Sequence, residues 1–522
     1  MFKECVKCKH GLICKDDYAI LKSGYWWKWR NESHKRRYID FINNLLAPLP
    51  LLGKDDVQYP HPIPKQYMCP MEKSCMGGLD SNCANGYEGP LCDICSSNHY
   101  KQMKTCKECP SIQWLAGQLS IMVGIFFIIV VVSVWASYKS KKSKNSEEER
   151  SLIDVFLAKL KIVIGFYQVT YGLLDAFSYV KWPESLQVIS KYSEILQLNV
   201  LQMAPIQCLS SGLRVDAFGN LFAIMSINAA AIVVSGVAYG VRKLLILKNK
   251  NLEDEEKSRR VSKTKELLYR SLFFFLYVTY LSTCSKTAAV LPLACRKLCA
   301  DKDDKLCPAY LKADYSVRCH ESRYNNLVIV VYISAAYVIA LPVATFVTLW
   351  RQRRAILVTE ETATSQNEDS DREVITGLRF LFESYKPGAW YWELVEMSHK
   401  VIVTSLLILV GQETRSYVGL TLAIAGMYGT VFCWIHPLQD AFENRLLSTS
   451  LAVTVVNLVI GAVSRIPAEN LPAPKDSYMD AVVFNILVIG TNTLVIGLIG
   501  GKPNTLFFII NGIFVKAEAN QE

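Results

Sequence analysis

The amino-acid sequence predicts an all-α membrane bundle of about nine transmembrane helices carrying a small disulfide-rich extracellular module. Three observations carry this expectation. Of the 522 residues, 51% are apolar and only 20% are charged, where an ordinary soluble domain is about a quarter charged. The apolar residues stand in uninterrupted runs as long as the ~20 residues a bilayer-crossing helix needs. Ten of the seventeen cysteines fall within the first 109 residues, a density foreign to the reducing cytosol. These features exclude a soluble enzyme. The formal charge of +10 is modest and follows loop placement, so nucleic acid is not an expected partner.

Taken in order, residues 1–111 form the cysteine-rich extracellular domain, with 68–110 as its epidermal-growth-factor-like or laminin-like part. Charge-free runs predict spans at 112–137, 219–241, 327–350, 416–435, 446–464 and 481–501. Three further spans carry polar marks: 162–180 with Asp175, 271–294 with Lys286, and 392–410 with Glu393, Glu396, His399 and Lys400. Between them lie an extracellular cysteine loop at 295–323 and a cytoplasmic loop at 351–391, with a C-terminal tail at 502–522. The apolar part of that tail is too short to cross and is read as interfacial. Segments 139–150 and 248–265 mix both charges and read as solvated or helical connectors.

Orientation follows from charge and cysteine chemistry. With the N-terminus outside and the C-terminus cytoplasmic, the inner loops hold 22 Lys and Arg and the outer loops 13, the sense that membrane insertion favours. The loop 295–323 is basic, yet its Cys295, Cys299, Cys307 and Cys319 suit the oxidising side. The sequon at Asn31 also falls outside. Localisation at the plasma membrane is expected. Only four residues precede Cys5, without a signal-peptide core, so a truncated N-terminus is expected.

Cysteines 5, 8, 14, 69, 75, 83, 92, 95, 106 and 109 include three C-x-x-C pairs, a spacing that invites zinc. Their even number, the outside location and the Gly-Pro turns between them favour disulfides. Cys5, Cys8, Cys14, Cys69, Cys75, Cys83, Cys92, Cys95, Cys106, Cys109, Cys295, Cys299, Cys307 and Cys319 are therefore the disulfide candidates, and no metal or cofactor is expected. So small a module cannot bury a sufficient core without cross-links. In Gly24–Arg30 (GYWWKWR) and the following His34–Arg37, aromatic and cationic residues alternate. This mixture reads either as a site for an acidic glycan or anionic headgroup, or as the hydrophobic centre of a thin module; the second reading is preferred.

Several segments resemble one family. They are Cys69–Cys109, closing with G-Y-E-G-P-L-C-D-I-C; FYQVTYGLLDAFSYVKWP at 166–183; YLKADYSVRC at 310–319; the proline-interrupted span around Pro342; and FLFESYKPGAWYWELVE at 380–396. Together they resemble eukaryotic multi-pass membrane proteins in which an EGF-like or ephrin-receptor-like module precedes a bundle similar to the C-terminal domain of transient-receptor-potential (TRP)-like channels and flavin carriers. The resemblance covers most of the chain from about residue 69. It implies an ion channel or transporter, with lipid or flavin handling as an alternative.

Ionisable residues in spans are the default functional candidates. Asp175 and Lys286 have opposite signs and lie toward the outer ends of their runs, which permits an ion pair. Glu393, Glu396 and Lys400 share one helical face, with Glu396 and Lys400 in the favourable i,i+4 order. Beside Trp390, Tyr391 and Trp392 they read first as an anchor at the inner membrane surface, turned upward at Pro387-Gly388, and second as part of an ion path. No P-loop, H-E-x-x-H or nucleophile motif occurs, so enzymatic activity is not expected. A transporter or channel is favoured over a surface receptor or adhesion protein. Membrane lipids, an extracellular ligand or glycan, and a second copy of the chain in a homo-oligomer are the expected partners. Glycosylation mapping tests the orientation: Asn31 should be modified in cells, whereas a sequon inserted near Asn367 should not, and the reverse pattern would invert the topology.

Overall fold

The computed structural model describes residues 8, 11–15, 18–47, 59–102, 105–117, 120, 152–177, 180, 182–196, 208, 216–249, 253–300, 307–351, 353, 378, 381–406, 415–463, 488–490, 492 and 495. Cys5, most of the proposed spans 112–137 and 481–501, the end of 392–410 and the tail 502–522 lie outside the described residues. The helices and stapled hairpins agree with the expected class. Among the described residues, five helices are long and apolar enough to cross a membrane, against nine proposed spans.

The N-terminal module is built from short hairpins because few of its residues are apolar enough for a larger core. Strands β1 (Leu12–Lys15) and β2 (Tyr18–Leu21) pair antiparallel, and β3 (Tyr25–Trp26) leads to helix α1 (Glu32–Leu46) before pairing with β4 (Tyr67–Met68). Asn31, exposed, caps α1 by accepting from the His34 backbone N–H at 2.9 Å. The tryptophan-rich segment faces inward. Trp27 is buried, the Trp27 and Trp29 indoles both donate to the Leu79 carbonyl at 3.0 Å, and Trp29 packs on Tyr38. Lys28, Arg30, Arg36 and Arg37 are left exposed.

Three more hairpins follow: β5 (Cys75–Gly77) with β6 (Asn82–Cys83), β7 (Tyr87–Glu88) with β8 (Ile94–Cys95), and β9 (His99–Gln102) with β10 (Thr105–Glu108). Disulfides staple them at Cys69–Cys75, Cys83–Cys92 and Cys95–Cys106, after Cys8–Cys14. Cys92 and Cys95 thus have different partners, as do Cys106 and Cys109, so these C-x-x-C pairs are not shared metal ligands. Gly89 has φ +76°, and a Cβ there would stand 2.4 Å from the Ile94 side chain. This turn lets Tyr87 pack against Cys69, Cys75 and Cys92.

The helices are α2 (Leu152–Ala176), α3 (Glu184–Leu196), α4 (Ala217–Lys248), α5 (Asp254–Val290), α6 (Ser322–Arg351), α7 (Trp392–Val401, continued by a π turn at Ile402–Leu406), α8 (Arg415–Ile435) and α9 (Ala441–Val463). Those that qualify as spans are α4, α5, α6, α9 and Tyr417–Ile435 of α8. On α4 and α6, Val233, Val234, Val237, Ile329, Ile333 and Ile339 are exposed, a surface compatible with a membrane. The segment 248–265, read from its charge as a solvated or helical connector, is helical from Asp254 onward. The pairs Lys257–Asp254 and Arg260–Glu256, at i,i+3 and i,i+4, support it. α5, at ~55 Å, therefore outruns the ~30 Å hydrocarbon core.

Cys109 is joined to Cys208, 99 residues away, a partner absent from the candidate set drawn from the two cysteine clusters. The loop after α5 forms β11 (Cys295–Lys297), β12 (Ala309–Leu311) and β13 (Asp314–Arg318), held by Cys295–Cys319 and Cys299–Cys307. The N-terminal module sits on it. The Tyr67 hydroxyl accepts from Cys299 N–H at 2.8 Å and donates to its carbonyl at 3.1 Å, and the Lys65 N–H reaches the Ala300 carbonyl at 2.8 Å. The described residues of 8–109 and 295–319, with Cys208, therefore occupy one side of the bundle. At the other end, the Lys386 N–H bonds Pro437 and the Gln439 N–H bonds Ser384, joining the two loops expected on the inner face.

Replacing Cys208 by Ser should cost about 4–5 kcal/mol of stability in the chain-entropy account for a loop of this length. Non-reducing peptide mapping of the wild type should recover a 109–208 cross-link; a 106–109 pairing instead would refute the arrangement.

Candidate functional site

The strongest chemical feature is a cluster of four charges inside the bundle, assembled from α2, α5, the segment before α7, and α7 itself. Glu393 is 1% exposed and Glu396 3%. Carboxylates so deep in apolar surroundings persist only when paired and hydrogen-bonded, and here each has an ammonium at 2.5 Å: Lys161 Nζ on Glu393 Oε2, and Lys400 Nζ on Glu396 Oε1. The Tyr277 hydroxyl donates to Glu393 Oε1. The Tyr385 hydroxyl stands 2.8 Å from Glu393 Oε2 and 3.3 Å from Glu396 Oε2. Lys161 also lies over the rings of Tyr277 and Tyr385 at 5.6 and 5.7 Å. Two anions and two cations make the cluster neutral.

Local sequence explains the convergence. On α2, Lys161, Gly165, Gln168 and Gly172 recur at helical spacing; Lys161 and the two glycines face α7 and its π turn, while Gln168 donates to the Val278 carbonyl of α5 at 3.1 Å. A Cβ on Gly165 would stand 2.6 Å from Lys400 Nζ, and one on Gly172 would stand 2.8 Å from Thr404. The two glycines thus let α2 approach closely enough for Lys161 to reach Glu393. Pro387–Ala389 forms a tight turn before α7, and Trp390 packs with Leu349, Leu378, Leu381 and Leu394. A cavity of about 20 Å³ adjoins the cluster, with Lys161, Lys400, Gly165, Gln168 and Tyr277 in its wall. It has room for about one water.

Beside the cluster, His399 is buried and stacks on Tyr428 with ring centroids 4.1 Å apart. Both imidazole nitrogens and the Tyr428 hydroxyl have no hydrogen-bond partner among the described residues.

The structure places Glu393, Glu396 and Lys400 together, as their shared face implied. Glu393 and Glu396 are buried within the protein, and Lys400 is half-buried beside them. Trp390 and Trp392 are buried and only Tyr391 is exposed, because α5, α6, α8 and α9 enclose this elbow. Asp175 is exposed near the end of α2, and Lys286 is half-buried on α5 about 14 Å along the helix from Tyr277; neither belongs to the cluster. Lys161, Tyr277 and Tyr385 were not among the sequence candidates. A span boundary drawn at Ile162 left Lys161 just outside, although the Lys161–Gly165–Gln168–Gly172 spacing marks the face. Compared with models of known protein families, with curated proteins and with solved structures, the chain matches none.

Lys161→Met should destabilise the protein by about 3–5 kcal/mol, because it strands a buried carboxylate. The double variant Lys161→Met/Glu393→Gln should recover most of that loss in thermal melts of detergent-solubilised protein. Equal losses in both would show that the pair is not coupled.

Proposed function

We propose that this is a multi-pass plasma-membrane protein that moves an ion or small solute across the bilayer. In this reading it has nine spans, an extracellular cysteine module and a cytoplasmic C-terminus. The observation that carries the reading is the Lys161–Glu393–Glu396–Lys400 cluster. Intramembrane ionisable groups are costly and typically mark ion or proton pathways. Stability alone is a poor reason to keep one, since apolar replacement of a buried ion pair is often neutral or favourable. The adjoining π turn supports the same assignment, because such turns are frequent at functional sites. So does the resemblance of 380–396 to the TRP-like group. The seven disulfides support an oxidising, extracellular side for the module. No catalytic role is assigned.

A second reading, a surface receptor, has its own supporting observation. The module rests on the β11–β13 loop, whose Asp314 accepts from the Ala217 N–H at the start of α4. Asp216 there pairs with Arg323 of α6 at 2.6 Å. A ligand on the module would therefore bear directly on α4, α5 and α6.

In proteoliposomes, Glu393→Gln and Glu396→Gln should each abolish most of the flux while the protein still melts cooperatively. Wild-type flux in both variants would sink the transport reading. Ligand-dependent movement of α6 without flux would favour the receptor.

A further inference from the structure

We propose that the species handled by the cluster is the proton, passed between Glu396 and Glu393 through the Tyr385 hydroxyl; this rests on the transport reading above. The geometry selects against other ions. An inorganic cation would need carboxylate oxygens, but each carboxylate already has an ammonium at 2.5 Å. The adjoining cavity is walled by the same two ammoniums, Lys161 and Lys400, and has about 20 Å³, room for roughly one water. An inorganic anion entering there would add a fifth, uncompensated charge beside two carboxylates. A proton needs neither space nor a vacant ligand set.

The two carboxylates share one bridging hydroxyl, at 2.8 and 3.3 Å. A phenol has one proton and can also accept one. When Glu396 is protonated, its O–H donates to the Tyr385 oxygen. The carboxyl O–H bond breaks as a bond forms to the phenol oxygen, while the original phenol O–H bond breaks and its proton joins Glu393 Oε2. One proton, with one positive charge, moves from Glu396 to Glu393, and Tyr385 is regenerated.

While Glu396 is neutral, Lys400 loses its counter-charge. It lines the cavity, where a water can take up its N–H donors. Gly165 keeps that position open, because a Cβ would stand 2.6 Å from Lys400 Nζ. The other titratable groups packed around the pair are Lys161 from α2, Tyr277 from α5, His399 from α7 and Tyr428 from α8.

The test uses full-length protein in proteoliposomes with an entrapped pH dye and a potassium–valinomycin voltage. Flux should persist when sodium and chloride are replaced by impermeant ions, and it should reverse with the pH gradient. Tyr385→Phe, which removes one oxygen, should abolish it, and Gly165→Ala should slow it. Infrared difference spectra on a pH step should show a protonated-carboxyl band that is lost in Glu396→Gln. Flux that requires another ion and ignores the pH gradient would overturn the proton assignment and leave the transport reading standing. Absence of flux for every ion would overturn both. Should Tyr385→Phe fail to fold, the wild-type ion substitution and the infrared band decide; unchanged proton flux in a folded Tyr385→Phe overturns the relay.

Discussion

Four charges buried between helices impose the tightest constraint on this molecule. Glu393 and Glu396 can remain there only if ammonium and hydroxyl groups reach them from other elements, and the surrounding geometry serves that requirement. α2 must come close, which requires no side chain at Gly165 and Gly172. The chain before α7 must turn sharply so that Tyr385 can stand between the carboxylates, and the Pro387–Ala389 turn provides this. α5 must direct Tyr277 inward while its opposite flank packs on α4 and α6 through Asn228–Thr283 and Thr287–Ser334. A change in any of these contacts would expose an unpaired charge to a low-dielectric interior, so helix placement and cluster chemistry are one problem.

The opposite end of the molecule is held by different physics. Its segments are too small to bury much apolar surface, and covalent links take over that role. The Cys109–Cys208 link and the Tyr67–Cys299 hydrogen bonds join three stretches far apart in sequence into one head. Because α4 and α5 leave and re-enter that head as an antiparallel pair, the same-side grouping of 208 and 295–319 and the hairpin of helices agree with each other. The grouping of 382–390 with 436–440 at the other end completes a consistent alternation.

Much of this was legible in local patterns. The charge-free runs 219–241, 327–350, 416–435 and 446–464 each correspond to a helix, since apolarity over 20 residues specifies a membrane solvent regardless of neighbours. Asn31 reads only as a sequon in the sequence, and its role as the cap of α1 emerged from the structure. The inward face of Trp27 follows from the same rule that places large aromatics in a thin core. Less legible were the ends of elements. Charge in 248–265 left a solvated and a helical connector both open, and i,i+3 and i,i+4 ion pairs accompany the helical form that α5 takes.

The sequence by itself determined that the chain is a helical membrane protein with a cross-linked N-terminal module, because composition and periodicity depend only on near neighbours. It also placed Glu393, Glu396 and Lys400 on one face, for the same reason. Tertiary structure alone decided that this face points inward, that Lys161 rather than Asp175 or Lys286 joins it, and that Cys208 pairs with Cys109. These outcomes depend on which helices lie beside one another. Partners 232 residues apart, as Lys161 and Glu393 are, leave no local pattern in the chain, and only the close approach at Gly165 and Gly172 brings them within reach.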